Sequence, residues 1–135
     1  MNIFLTGATG FIGKSFLRSA LSQGHFIFAP TRKKKIKKIK NLKWLKGSFE
    51  KNWKTELKMS DVLVHIAAAG VNDKSISSEE LFEVNVFKSL NLLNNAIKSN
   101  CLKSRLFNRS TMIEVDMTTI GAYARPFGGP PVKKD

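Results

Sequence analysis

The sequence predicts an α/β fold, a parallel sheet with helices on both faces. Three observations carry the prediction. Strand-like apolar runs alternate with amphipathic stretches from Met1 to about Phe107, the pattern of parallel strands joined by helical crossovers. Asp61 to Gly70 is apolar on both alternating faces, as a central parallel strand must be. Gly7, Gly10 and Gly13 stand between a short apolar run, Ile3 to Leu5, and an amphipathic segment that begins at about Phe11. That order is strand, tight turn, helix.

The elements follow in turn. Phe11 to Gln23 reads as the first helix, with Ile12, Phe16, Leu17, Ala20 and Leu21 on one face and Gly24 as its stop. His25 to Pro30 is a second strand around Phe26, Ile27 and Phe28, with His25 a surface or edge residue and not a ligand. Thr31 to Lys40 is strongly basic; Ile36, Ile39 and Leu42 recur every three residues and predict a short basic helix. Leu42 to Gly47 fits a third strand, and Phe49 to Leu57 a short helix or loop. Asp61 to Gly70 is the fourth strand and ends in small residues. Ser77 and Glu80 form a capping box that opens a long helix to about Ser99. Leu81, Asn85, Ser89, Leu92 and Ala96 share one stripe of that helix, so Asn85 lies within an apolar face and needs hydrogen-bond partners. Leu102 to Phe107 starts a fifth strand, and beyond it the pattern degrades into a Pro- and Gly-rich stretch. The expected organisation is one domain over 1–107 and an irregular tail over 108–135.

Composition narrows the class. The apolar fraction and ten Phe residues indicate a globular chain. A single cysteine, Cys101, rules out an internal disulfide and suits a reducing cytosol. No metal-ligand cluster, signal peptide or membrane-spanning run is expected. The net charge is +13, and the first 49 residues hold no Asp or Glu. Such a balance favours anionic partners. The basic run lacks interleaved aromatics for base stacking, so a solvated lysine face is the better reading than a nucleic-acid patch.

The glycines carry the chemistry. A turn whose N–H groups approach a pyrophosphate has no room for a Cβ, and some of its residues need positive φ. The following helix aims its N-terminal N–H groups and positive dipole end at the same phosphates. The spacing is G-x-x-G-x-x-G, not the commoner G-x-G-x-x-G, but the strand–turn–helix setting is the one that dinucleotide binding requires.

Three segments carry a family resemblance. Thr6-Gly7-Ala8-Thr9-Gly10-Phe11-Ile12-Gly13 resembles the T-G-A-T-G-F-I-G opening of the extended short-chain dehydrogenases, the NAD(P)-dependent sugar-nucleotide epimerase/dehydratase family. Asp61-Val62-Leu63-Val64-His65-Ile66-Ala67-Ala68 resembles that family's D-V-V-x-H-x-A-A strand. Asn85-Val86-Phe87-Lys88-Ser89-Leu90-Asn91-Leu92-Leu93 resembles its N-V-x-G-T-x-N-L-L helix. The three occur in the family's order and span roughly residues 1–100. The resemblance implies an incomplete Rossmann-type doubly wound sheet. It assigns Gly7, Gly10 and Gly13 to the pyrophosphate turn, with backbone contacts from Phe11 and Ile12. Ala67 and Ala68 would pass beside the adenosine and ribose, and Asn85 would support the active-site hydrogen-bond network.

The cofactor follows from charge. A carboxylate about 20 residues past the turn would bond the ribose 2′-OH of NAD. Here Thr31 and Arg32 occupy that place and no acid precedes Glu50. Arg32 suits a 2′-phosphate, so NADP is the expected cofactor and NAD the alternative.

The resemblance breaks at the catalytic residues. The family uses a Ser/Thr hydroxyl and a Tyr-x-x-x-Lys pair, in which the cation lowers a phenol pKa that otherwise lies near ~10. Ser110-Thr111-Met112-Ile113-Glu114-Val115 resembles the family's S-T-D-E-V segment with one extra residue, which makes Thr111, or else Ser110, the candidate hydroxyl. The only tyrosine is Tyr123, and Phe127 stands four residues on. The expectation is therefore the cofactor half of a nucleotide-sugar oxidoreductase, inactive alone, without a substrate domain, and a truncated or frame-shifted product. Its sheet would keep an open edge able to pair with another copy or a completing partner chain. A non-catalytic NADP-binding module and a basic nucleic-acid-binding protein are the competing readings.

Overall fold

A computed structural model describes residues 1–34, 36–70, 75–99, 101, 103–107 and 112–115. Ser110 and Thr111 lie outside them. The first strand, β1 (Asn2–Thr6), leads through the glycine turn into α1 (Phe11–Ser22). There follow β2 (Phe26–Thr31), β3 (Leu42–Lys46), the short α2 (Lys54–Lys58) and β4 (Val62–His65). A continuous helical run comes next: α3 (Ser78–Phe82), a π segment (Glu83–Lys88) and α4 (Ser89–Lys98). The described chain closes with β5 (Lys103–Phe107) and β6 (Met112–Val115).

The sheet order is β3-β2-β1-β4-β5-β6. β1 to β5 run parallel, and β6 returns antiparallel to β5. The 3-2-1-4-5 order is that of a doubly wound dinucleotide fold, whose strand order reverses between β1 and β4. The expected Rossmann-type architecture is therefore the observed one.

Strand alternation sorts the core into two layers. Ile3, Leu5, Ile27, Ala29 and Val64 point to one face and pack with Leu17 and Ala20 of α1. Phe4, Phe28, Leu45 and Leu63 point to the other and pack with Leu57 of α2 and Leu92 and Ala96 of α4. Phe4 and Phe28 are fully buried, each contributing about 1.5–3 kcal/mol through the area withdrawn from water. Cys101 is buried in the same layer.

Four local expectations are corrected. The buried face of α1 is Gly13, Leu17 and Ala20, and Ile12 is exposed. The helix begins so close to the turn that only a glycine fits on the inner side. Residues 36–41 form no helix. Ile39 instead bridges Leu42, Asn41 takes φ 60°, and the Trp44 indole donates to the Lys37 carbonyl. Lysines crowded within one turn oppose a helix there, because like charges at that spacing repel. The long helix contains a π segment, and Met112–Val115, within the stretch expected to be irregular, forms a strand on β5.

Candidate functional site

The carboxyl ends of β1 and β4 open side by side, with Thr6 in register with His65. A ligand crevice in such a sheet lies just beyond this point. The glycine turn forms one lip. Gly7 takes φ +73°, and a Cβ there would stand 2.7 Å from the Ala67 nitrogen. Gly13 sits against the same turn, and a Cβ on it would fall 2.0 Å from the Gly7 oxygen. Gly10 differs: it has negative φ, and a Cβ would meet only the Gly7 oxygen at 3.3 Å. The turn is tied internally, Gly10 N–H donating to the Gly7 carbonyl at 2.9 Å and Lys14 N–H to the Gly10 carbonyl at 3.0 Å.

Gly10 is the N-cap of α1, so no side chain caps the helix, and its first turn carries no acid. The N-terminal N–H groups and dipole of a 12-residue helix are left for an anion. Phe11 is 96% exposed on the same turn. Both features fit a pyrophosphate held against backbone with an apolar ring beside it.

The second lip is the exit of β4. Ala67, Ala68 and Ala69 are half-buried. Asn85, in the π segment, clamps this exit from the helical side. Its Oδ1 accepts from Ala69 N–H at 2.8 Å and its Nδ2 donates to the Ala69 carbonyl at 3.4 Å. The partners that a half-buried amide needs are thus a strand-end peptide, not a neighbouring side chain.

Under the crevice lies a polar group that sequence reasoning passed over. Thr6, His65 and Ser89 are all buried. Thr6 Oγ1 accepts from Ile66 N–H at 3.2 Å and Ala67 N–H at 3.3 Å and bonds His65 Nδ1. His65 Nε2 meets Ser89 Oγ at 2.9 Å, and the Ser89 hydroxyl donates to the Val84 carbonyl at 3.2 Å. Burial lowers the His65 pKa to about 4, so the ring is neutral at pH 7. A histidine inside an apolar strand was the available signal. Its partners became identifiable only with the β1–β4 register.

Arg32 follows β2 directly and is exposed. Thr31 Oγ1 accepts from Lys33 N–H at 3.2 Å and shapes that turn. The chain leaves β2 here at the same sheet edge as the glycine turn leaves β1, because the two strands are parallel neighbours. Among the described residues no three His, Cys, Asp or Glu side chains could hold a metal ion, and no helix is long and apolar enough to cross a membrane. His25 is half-buried, its Nδ1 3.5 Å from the N-terminal amine.

Comparison with known proteins agrees with this geometry. The chain is 30% identical over 90 residues to a sterol-4-alpha-carboxylate 3-dehydrogenase (decarboxylating) of Dictyostelium discoideum, a match that covers 63% of this chain and 27% of that protein. Among solved structures it resembles the Bordetella bronchiseptica enzyme WbmG in complex with NAD, with 25% identity, a TM-score of 0.60, and coverage of 80% of this chain and 36% of that one. The UDP-glucose 4-epimerase of Thermotoga maritima, solved with UDP-glucose, shares the fold at 22% identity and a TM-score of 0.63, over 78% of this chain and 37% of that one. The chain thus spans about a quarter to two fifths of the lengths of these relatives. A family model matches residues 3–124, and with the glycine turn, the β4 exit and Asn85 in place, the chain belongs to the NAD dependent epimerase/dehydratase family.

Proposed function

We propose that this chain is the dinucleotide-binding part of an epimerase/dehydratase-type oxidoreductase that acts on a nucleotide-linked sugar. The observation that carries the reading is the uncapped N-terminus of α1 beside Gly10, the turn glycine at which an added Cβ would meet one atom alone, the Gly7 oxygen. Gly7, Gly10 and Gly13 let the pyrophosphate reach backbone, Phe11 and Ile12 offer their N–H groups, and Ala67 and Ala68 line the adenosine side. Asn85 fixes the β4 exit. The dinucleotide would supply reversible hydride transfer; the chain's own residues bind and orient it. Thr111, or else Ser110, is proposed to supply the hydroxyl that hydrogen-bonds the substrate. No Tyr-x-x-x-Lys occurs within these 135 residues, so turnover requires an acid–base pair from further chain or a partner. Phe82, Phe87 and Leu90 are each more than half exposed on the helical run, which supports such completion. The single cysteine supports a cytosolic setting.

We further propose NADP over NAD, because Arg32 follows β2 and no carboxylate stands near it in sequence. Calorimetric titration with both dinucleotides tests this. NADP should bind more tightly, and Arg32→Asp should shift the ratio toward NAD by about tenfold or more, the scale of one charge-assisted contact. Tighter NAD binding with a ratio that Arg32→Asp leaves unchanged would defeat the NADP assignment. Binding of neither dinucleotide, with salt-steep affinity for DNA, would replace the whole reading. The sterol relative, at 30% identity, favours one second reading of the substrate, an alicyclic alcohol; turnover of a sugar nucleotide against a sterol carboxylate by the completed enzyme separates the two.

A further inference from the structure

The chain of bonds beneath the crevice has one self-consistent arrangement of protons. Ser89 donates its hydroxyl to the Val84 carbonyl, so its oxygen is left to accept, and His65 Nε2 must carry the hydrogen at that 2.9 Å contact. His65 Nδ1 is then an acceptor. Thr6 Oγ1 already accepts from the Ile66 and Ala67 amides, which fills its two lone pairs. Its own hydroxyl hydrogen is therefore the one given to Nδ1. Donation runs in one direction, from the β4 exit amides through Thr6, His65 and Ser89 to Val84 in the π segment. Either end touches a wall of the crevice. Ala67 abuts Gly7, and Val84 immediately precedes Asn85, which holds Ala69.

We propose that His65, as the Nε2–H tautomer, is a positioning residue: it locks the Ile66–Ala67 peptide to the helical run and so fixes the spacing of the crevice. Ring protonation would set an Nδ1 hydrogen against a Thr6 oxygen with no lone pair to spare, and the chain would break at its centre. Asn85 clamps the same exit one turn of chain later, so His65 and Asn85 hold Ile66 to Ala69 from two sides. Because the helix widens in the π segment that holds Val84 and Asn85, Ser89 reaches Val84 five residues back. A π turn of this kind often marks a functional position.

Nitrogen-15 NMR of the full chain tests the bond chain directly. At neutral pH the His65 ring should read as a single neutral Nε2–H tautomer. Ser89→Ala should speed amide exchange at Ile66 and Ala67 about tenfold, the scale of one lost hydrogen bond. Ile3 and Phe28, paired elsewhere in the sheet, should be unchanged, and Ser89→Thr should restore the wild-type pattern. A protonated ring, an Nδ1–H tautomer, or acceleration spread evenly over the sheet would overturn the proposal. The consequence for binding rests on the dinucleotide reading above. On that reading affinity falls about tenfold in Ser89→Ala and returns in Ser89→Thr; an unchanged affinity removes the positioning role. If the wild-type chain binds no dinucleotide while the tautomer and local exchange behave as stated, the functional reading fails and the bond chain stands.

Discussion

The turns that leave β1 and β2 open on one edge of the sheet, yet different forces hold them. In the first, backbone packs on backbone: Gly7 lies against the Ala67 peptide, and Gly13 against the Gly7 carbonyl. In the second, side chains set the course, with Thr31 taking the Lys33 amide and Trp44 taking the Lys37 carbonyl. Residues 31–58 carry twelve of the chain's 23 basic residues against two of its ten acids. Among the described residues, Lys43–Glu56 at 3.7 Å is the one salt bridge within that segment, and Lys43 is 55% exposed, a pair of small worth in water. The first turn can therefore present only one shape to a ligand. The second presents charge on a course set by side chains, and on the proposed reading that charge chooses between dinucleotides.

That contrast predicts a ranking of substitutions. Gly13→Ala should do the most damage to folding. A methyl group would stand 2.0 Å from the Gly7 oxygen and 2.7 Å from the Gly7 carbonyl carbon. Both are backbone atoms of a turn that cannot retreat without breaking the Gly10–Gly7 bond. Alanine improves helix propensity by about 1 kcal/mol, but the overlap outweighs it, and a net loss of about 3 kcal/mol is expected. Urea unfolding measures it. A stabilised variant would mean that α1 does not start against the turn.

Next comes acid. Burial lowers His65 to about 4 in the folded chain, against about 6.5 when unfolded. The unfolded state therefore binds a proton that the folded state refuses. Stability is complete above pH 6.5, declines as pH falls from there toward 4, and changes no further through this group below it. The full span corresponds to about 3 kcal/mol. Urea midpoints across that window should fall for the wild type and fall less for His65→Gln. Equal slopes in the two proteins would show that His65 does not drive the decline.

The same contrast explains what could be read from sequence. The five parallel strands were legible: β1, β2 and β4 are apolar runs, and β3 and β5 are short mixed stretches with apolar residues set between turn signals. The glycine turn was legible, because its constraint is local. The basic segment misled, because Ile36, Ile39 and Leu42 repeat at a helical interval while Leu42 belongs to β3 and Ile39 bridges it. Ile12 misled in the same way, since the closeness of α1 to its turn is a matter of packing. The π segment leaves no mark in apolar spacing, because Leu92 and Ala96 beyond it still reach the core. The partners of His65 depend on which strands are neighbours, and no single stretch of sequence records that. Met112–Val115 is short and mixed in polarity, and its pairing with β5 makes it a strand.

Gly10→Ala carries the smallest expected change in stability and divides fold from function most cleanly. Its φ of −77° suits any residue, and the nearest atom to an added Cβ is the Gly7 oxygen at 3.3 Å. A shift of a few tenths of an ångström relieves that contact. Alanine is also a poorer N-cap than glycine, so the combined loss should stay within about 1 kcal/mol. The same methyl group would enter the space in front of the α1 N-terminus, where a pyrophosphate must come within hydrogen-bonding distance of the N–H groups. Dinucleotide affinity should therefore fall by about tenfold or more, while the urea midpoint barely moves. Gly13→Ala would lose both together and could not tell the two apart. If Gly10→Ala bound dinucleotide as tightly as the wild type, the phosphates would not lie over this turn, and Gly10 would be an ordinary glycine between a strand and a helix.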